Sequence, residues 1–510
     1  MSANDDVPVI PRPVEAERLD GAPFTLAPGA RVSVAGAGAA DVAELLVAEL
    51  ASDCRRDLSI VHEPPAYGDI AIVIAPDETP EPHRAEGYSL AVTAEGVRIG
   101  AASAAGAFWG VQTLRQLVPV ECASDPLTIA PVSIHDHPRF GYRGAMLDVA
   151  RHFFTPDEVK RFIDAIVLLK VNHLHLHLTD DQGWRIHIES WPNLTAHGAS
   201  TGSDGSAGGF YTQDEFRDLV AYAAARQVTI VPELDMPGHT NAALASYPEL
   251  NASGIAPLLY TGSKVGFSTL LSDDETTKRF LADVIGEVAA LTPGPYLHIG
   301  GDECLSTSPA DFLTFIAHAA ALVAATGKTP AGWHEMGTSD QLPEGTVGQY
   351  WDFVVPRGSS ADETLSFVRQ GGAVIMSPAD VAYLDIVYED GDRLGQDWAD
   401  GPTTVRGAYV WDPARIVPGL GDAHILGVEA PVWTETLATI DDVEEMVFPR
   451  LAAVAEVGWS TAPTDTESVE TARDFDAFAP RLAALGQHWA AAGTNFRRVP
   501  EVPWRESVTV

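Results

Sequence analysis

Residues 145–170 read AMLDVARHFFTPDEVKRFIDAIVLLK, and this stretch decides the fold. Ala145–Val149 is an apolar run of the length of a buried strand. Thr155, Pro156 and Glu158 then announce a helix: Thr caps, Pro suits the first helical position, and Glu completes a capping box. The helix, expected to about Leu169, carries Val159, Phe162, Ile163, Ile166 and Val167 on one face. A buried strand feeding an amphipathic helix is the repeating unit of parallel α/β architecture.

The unit recurs downstream. Further strands are expected at His173–Leu178, Val228–Val231, Tyr296–Ile299, Thr329–Trp333, Val347–Tyr350, Ala373–Met376 and Gly427–Val432. Helical patterns separate most of them, and Thr212 with Glu215 forms a second capping box. Eight strands alternating with helices over about 320 residues predict a (β/α)8 TIM barrel with long insertions.

Upstream the texture differs. Arg31–Ala35, Asp69–Ala75, Tyr88–Val92, Val97–Ile99 and Leu127–Ile129 read as short strands punctuated by Gly and Pro. Helices at about Ala40–Ala51 and Ala102–Leu117 interleave with them. The expected division is therefore a small non-catalytic α/β domain over 1–137 and a barrel domain over 138–510 that includes a C-terminal helix and tail. The segment His135 to Pro138 reads as the linker.

Composition narrows the partners. The chain has 510 residues, 32 Lys+Arg against 71 Asp+Glu, and a formal net charge of −39. Nucleic acids and anionic membranes need positive surface to displace counterions, so neither is an expected partner. A neutral or cationic ligand suits this surface better, a small-molecule or oligosaccharide substrate being compatible with it, while most of the acids read as solvated. Cys54, Cys122 and Cys304 could form one bridge at most, and none has structural-zinc spacing. The start MSANDDVPVI lacks a basic and apolar signal, which predicts a cytoplasmic chain as written, or a secreted one if a signal was removed. Phe312–Ala325 is too short to span a bilayer. Oligomeric state is not legible.

Active-site residues of such barrels sit just after the strands. Polar and aromatic side chains do collect there: Arg151, Asp180, Asp181, Glu233, Asp235, His239, Asp302, Glu303, Trp333, His334, Glu335, Trp351, Asp352, Trp433 and Glu435. Gly300-Gly301-Asp302-Glu303 is the sharpest of these clusters. Neighbouring strand residues point to opposite faces, so the glycines must bend the chain if both acids are to reach one ligand. Paired acids of unequal ionisation suit acid-assisted cleavage of a glycosidic bond. Trp333, Trp351, Trp398 and Trp433 could form the apolar wall that packs on sugar C–H faces, whereas Trp411 and Trp459 read as core. The alternating His173, His175 and His177 share one strand face and open a second reading, a zinc-dependent hydrolase using His239, Asp235 or His298. The carboxylate reading is favoured, with no metal and no cofactor.

Several longer motifs resemble one family. They are Arg143–Phe154 (RGAMLDVARHFF), His173–Arg185 (HLHLHLTDDQGWR), Pro232–His239 (PELDMPGH), His298–Glu303 (HIGGDE) and Trp433-Thr-Glu435. Together they are similar to glycoside hydrolase family twenty, the retaining β-N-acetylhexosaminidases. Glu86-Gly-Tyr-Ser-Leu90 and Gly106–Arg115 resemble that family's non-catalytic domain. The resemblance implies a substrate-assisted mechanism, with Glu303 as acid and base and Asp302 orienting the substrate acetamido group. It further implies Tyr383 on the acetamido oxygen and Trp333, Trp351 and Trp433 around its methyl group. Arg151, Glu435 and Asp385 would bind hydroxyls, Trp398 would flank the leaving group, and Asp180 with His239 would set the ionisation of Glu303. Cys304, next to the acid, is either a modifiable thiol or a small buried hydrophobe. The acidic insertion Glu389–Trp398 either shapes the leaving-group side or is a solvated loop.

Overall fold

The computed structural model describes residues 7–54, 56–80, 82–120, 127–464 and 466–505. Cys122 lies outside them. Contacts divide the chain into two compact units: one comprises the chain to Gly141 with Ala165–Lys170 and the segment from Ala455, the other Tyr142–Asp164 and Val171–Val454.

In the first unit a seven-stranded sheet has the spatial order Glu15–Arg18, Val132–Asp136, Tyr88–Thr93, Gly96–Ala101, Ile70–Ile74, Arg31–Ala35 and Ser59–Val61. Helices Ala39–Cys54 and Ala104–Leu117 pack on it. The expected linker is corrected here: His135 belongs to a strand, paired on both edges, because Val132 and Ile134 bury their side chains while His135 faces out. The C-terminal helix Phe475–Ala492 groups with this unit rather than with the barrel, a division different from the expected one. Long-range polar contacts account for it. Arg481 forms a fork on Glu456 at 2.7 Å for each oxygen and donates to the Val9 carbonyl. Trp459 donates to Asp136, which also holds the fully buried Lys170 at 2.8 Å. A buried lysine needs that partner, since an unpaired charge in the interior is costly.

The second unit is a closed parallel barrel of eight strands. We label them β1 Tyr142–Asp148, β2 His173–His177, β3 Thr229–Glu233, β4 Tyr296–His298, β5 Thr329–Trp333, β6 Val347–Tyr350, β7 Val374–Met376 and β8 Ile425–Val432. All eight expected strands are present. β1 begins three residues early, at Tyr142, whose ring stacks on His173 and whose hydroxyl reaches Glu429. The helix after β1 spans Pro156–Val167, and the five apolar residues assigned to its inner face are buried. Both capping boxes form: Thr155 exchanges hydrogen bonds with Glu158, and Thr212 with Glu215. Strands hold rigid positions while the segments after them vary, so the C-terminal strand ends are the natural place for a site. Among the described residues no helix is long and apolar enough to cross a membrane.

Candidate active site

The segment after β4 turns as its glycines require. Gly300 and Gly301 have φ of 66° and 98°, and Glu303 is itself left-handed at 45°. A Cβ on Gly300 would lie 1.7 Å from Asp235 Oδ1, the atom that accepts the Gly301 N–H. This bend brings two carboxylates that a straight strand would separate to one imidazole. His239 Nε2 lies 3.8 Å from Asp302 Oδ2 and 3.6 Å from Glu303 Oε2. Their side chains differ in exposure, 11% for Asp302 and 34% for Glu303.

Burial and charge separate the acids chemically. Burial is the main cause that pushes the Asp302 carboxyl up to about 7; the charges of Glu335 and Glu303 add to it and His239 opposes it. Burial likewise lifts Glu335 to about 8 and Asp385 to about 8, the latter helped by Glu435. Burial penalises the charged form of His239, but Asp180, Asp235 and Asp302 outweigh it and hold the ring protonated well above its ordinary range. Asp180 is the opposite case. Burial would raise it, yet Arg151, His239 and His177 hold it ionised far below the usual range. Its Oδ2 is 2.9 Å from both Arg151 and His177 Nε2, and its Oδ1 is 3.2 Å from His239 Nδ1.

Aromatic rings form the apolar part of the site. Trp333 and Trp433 are 5.9 Å apart, Tyr383 lies 6.3 Å from Trp433, and Trp398 stands edge-on to Tyr383 at 5.9 Å. Trp351 meets Trp398 at 6.2 Å and donates its indole N–H between the two oxygens of Glu335, at 3.1 and 3.0 Å. The Arg151 guanidinium sits 4.8 Å over Trp433 and 3.9 Å from Glu435. Asp385 accepts the Trp433 backbone N–H at 3.2 Å. Asp302 Oδ1, Asp385 Oδ2, Glu435 Oε2, His239 Nε2 and Arg151 Nε are buried without a hydrogen-bond partner from the protein. Buried polar atoms are rarely left so, and here they gather beside indole rings. Rings for C–H faces and acceptors for hydroxyls are the two halves of a sugar site.

All twelve site residues expected from the sequence thus fall in one connected cluster: Arg151, Asp180, His239, Asp302, Glu303, Trp333, Trp351, Tyr383, Asp385, Trp398, Trp433 and Glu435. Other members of the strand-end ring do structural work. Asp181 holds Ser268 and the Asn241 N–H, and Asp352 caps the Arg357–Ser360 turn. Trp411 and Trp459 are core. Cys304 is half-buried rather than fully buried; it donates to the Asp302 carbonyl at 3.2 Å, and burial pushes its thiol well up, which opposes the modifiable-thiol reading. The acidic insertion folds back on itself through Asp392 and delivers the half-exposed Trp398 to the ring cluster. Sequence reasoning missed Asp148, which braces Arg151 and the Thr434 N–H. Its place as the last residue of β1 was the available signal. It also left Glu335 and Glu233 without a role.

The three alternating histidines do share the barrel interior, but in layers. His173 stacks on Tyr142, His175 contacts Glu429 and Glu233, and both nitrogens of His177 already face carboxylates. Four His/Asp/Glu groups among the described residues converge closely enough to ligate an ion, for example His175, Glu233 and His298. The mutual hydrogen bonds of His177, Glu233 and Asp180 favour a charge network over a ligand set.

Comparison with known proteins agrees with this geometry. The model for the catalytic domain of glycosyl hydrolase family 20 matches residues 140–311 and 306–462, and that for the family's domain 2 matches residues 6–137. A β-N-acetylhexosaminidase of Cellulomonas fimi is 41% identical over 98% of this chain and 97% of its own length. The N-acetyl-β-hexosaminidase of Streptomyces plicatus, solved in complex with thio-NAglucal, is 46% identical with a TM-score of 0.91, covering 98% of each chain. The family 20 β-N-acetylhexosaminidase of Streptomyces coelicolor A3(2) is also 46% identical at a TM-score of 0.91, over 98% of this chain and 99% of that one. With a closed barrel, paired acids at the end of β4 and both family domains matched in order, the chain belongs to glycosyl hydrolase family 20 and is a glycoside hydrolase.

Proposed function

We propose that this chain is a retaining exo-β-N-acetylhexosaminidase that removes terminal non-reducing N-acetylglucosamine, with N-acetylgalactosamine as a second substrate. The observation that carries the reading is the placement of Asp302 and Glu303 on one side of the pocket, both within 4 Å of a single His239 nitrogen. The usual retaining pair instead flanks the bond, with one carboxylate as nucleophile. Here the substrate's own 2-acetamido oxygen supplies that nucleophile.

Glu303, the more exposed acid, gives its proton to the glycosidic oxygen as the C1–O bond breaks. The acetamido oxygen bonds to C1 at the same time, forming an oxazolinium ion. Asp302 accepts the acetamido N–H and faces the positive charge that develops there, a preorganised electrostatic role. Tyr383 holds the acetamido oxygen, and Trp333, Trp351 and Trp433 enclose the methyl group. Glu303, now a carboxylate, takes a proton from water, whose oxygen attacks C1 and releases the acetamide. Two inversions give net retention. Arg151, Asp385 and Glu435 bind hydroxyls, Trp398 flanks the leaving group, and Asp180 with His239 sets the charge state of Glu303. No cofactor enters these steps.

The test is Glu303→Gln assayed on chitobiose and on an activated aryl glycoside. Loss of at least a hundredfold on chitobiose is expected, in keeping with the roughly 10²–10⁴-fold worth of a general acid. Near-wild-type turnover of chitobiose would sink the assignment. Indifference of the wild type to a thiazoline mimic of the oxazolinium ion would remove substrate assistance.

A further inference from the structure

A file of ionisable side chains runs through the barrel interior and ends at the half-buried Glu303. Glu429 Oε1 is 2.9 Å from His175 Nδ1, and His175 Nε2 is 3.0 Å from Glu233 Oε2, too oblique for a hydrogen bond. The same Glu233 oxygen is 2.5 Å from His177 Nδ1, and His177 Nε2 is 2.9 Å from Asp180 Oδ2. Asp180 Oδ1 then meets His239 Nδ1, whose other nitrogen faces Glu303. An ionised carboxylate only accepts. With Glu233 and Asp180 both held ionised, His177 donates from each nitrogen and carries a positive charge. The file alternates in sign from Glu429 to His239.

Glu233 is its branching point. Its second oxygen accepts the Trp333 indole N–H at 3.1 Å and lies 2.9 Å from His298 Nδ1. It sits at the end of β3, fully buried, between the acid's support and a wall of the sugar site. The Asp180–His239 pair belongs to the function proposed above; Glu233 and His177 do not.

We propose that Glu233 is a positioning residue for proton delivery by Glu303, acting through a positively charged His177 on Asp180 and His239. This rests on the acid role of Glu303. Arg151 and His177 face Asp180; Asp180, Asp235 and Asp302 face His239; His175, His177 and His298 face Glu233. Further acids also face the file: Asp181 and Glu435 stand by Asp180, Asp235 by Glu233 and His177, and Glu335 and Asp302 by Glu303. The charges of Glu233, His175 and His177 agree in direction, whereas burial lowers His298, whose Nδ1 accepts the Gly300 N–H at 3.1 Å. Burial would raise Glu233, but the three histidines pull it well below the ordinary range. Burial would depress His175, but Glu429 and Glu233 raise it to about 9.

Glu233→Gln keeps the shape and removes one charge. His177 then has no anion at Nδ1, reverts to neutral, accepts from the amide there and still donates to Asp180 from Nε2. Of the two charges lost, the positive one is nearer His239 and Glu303. Protons on the acid side are held more tightly, so transfer to a poor leaving group slows.

Glu233→Gln should lower kcat on chitobiose about tenfold, part of the roughly 10²–10⁴ that general acids supply. Turnover of the 2,4-dinitrophenyl glycoside, whose leaving group needs no proton, should stay within about twofold. The alkaline limb of kcat/KM on chitobiose should move to higher pH. Equal loss on both substrates with an unmoved limb means a structural role and overturns the proposal. Should the variant not fold, the ring nitrogens of His177 are read by 15N NMR in the wild type. Both protonated at pH 7 is the expected result, and a neutral ring overturns it. A wild type inactive on both glycosides removes the proposed activity instead, while the NMR measurement still decides the charge of His177.

Discussion

Asp302→Asn should make the protein more stable and less active, and the stability gain should depend on pH. Asp302 is 8% exposed, and burial with the neighbouring charges of Glu335 and Glu303 moves its carboxyl from 3.8 to about 7. At about 1.4 kcal/mol per pH unit, keeping that group ionised in the folded state costs about 4 kcal/mol. Between 3.8 and about 7 the folded chain holds a proton at Asp302 that the unfolded chain has released. Stability from this group therefore falls as pH rises through that window: the penalty is absent below it and complete above it. Asparagine has a similar shape and carries no charge at any pH. At roughly 2 °C per kcal/mol for a unit of this size, the variant should melt about 8 °C above wild type at pH 8. Near pH 4 the two should melt together. Thermal melts at both pH values, with turnover of a chromogenic N-acetylglucosaminide alongside, decide the matter. The same Tm difference at both pH values would refute the reasoning, as would a variant less stable than wild type at pH 8. The gain would mark Asp302 as a site where stability is given up for electrostatics aimed at the substrate.

Other residues give sharper structural tests. Arg151→Ala leaves Asp148, Asp180 and Glu435 buried without their shared cation and should cost about 3–5 kcal/mol in denaturant unfolding; a loss below about 1 kcal/mol contradicts the network. Gly300→Ala combines a left-handed backbone with a Cβ 1.7 Å from Asp235 and should cost roughly 2–5 kcal/mol together with most of the activity. Wild-type melting would show that the bend tolerates a side chain. Iodoacetamide should leave Cys304 largely unmodified and the native enzyme active, because its half-buried thiol is raised and donates to the Asp302 carbonyl. Peptide mapping that finds rapid native alkylation at Cys304 disproves this.

Local order was legible because it is written in local periodicity. Ala145–Val149, the Thr155 capping box and the helix face from Val159 to Val167 are features of a few consecutive residues, and the structure reproduces them. Gly300 and Gly301 announced a bend for the same reason: only a residue without Cβ accepts those angles cheaply. The alternation of His173, His175 and His177 correctly predicted one face but could not say what stood opposite. That is decided by Glu233 and Glu429, 56 and 254 residues from their histidine partners along the chain. His135 was misread because the end of a strand and a linker share the same short polar composition, and only pairing with Glu15 and Ser89 separates them.

The sequence by itself determined the eight-stranded barrel and the small domain before it, and it named twelve residues that the fold brings into one cluster. Each follows from spacing along the chain or from motifs that resemble a family. Only the tertiary structure decided which acids share a pocket, which brace loops, and what charge each carries. Asp302, Asp180 and Asp181 are the same residue type. Burial raises the first, Arg151 and two histidines hold the second ionised, and hydrogen bonds commit the third to the surrounding loops. An ionisation state is a property of what surrounds a group in space, and barrel closure brings together neighbours that the chain keeps far apart.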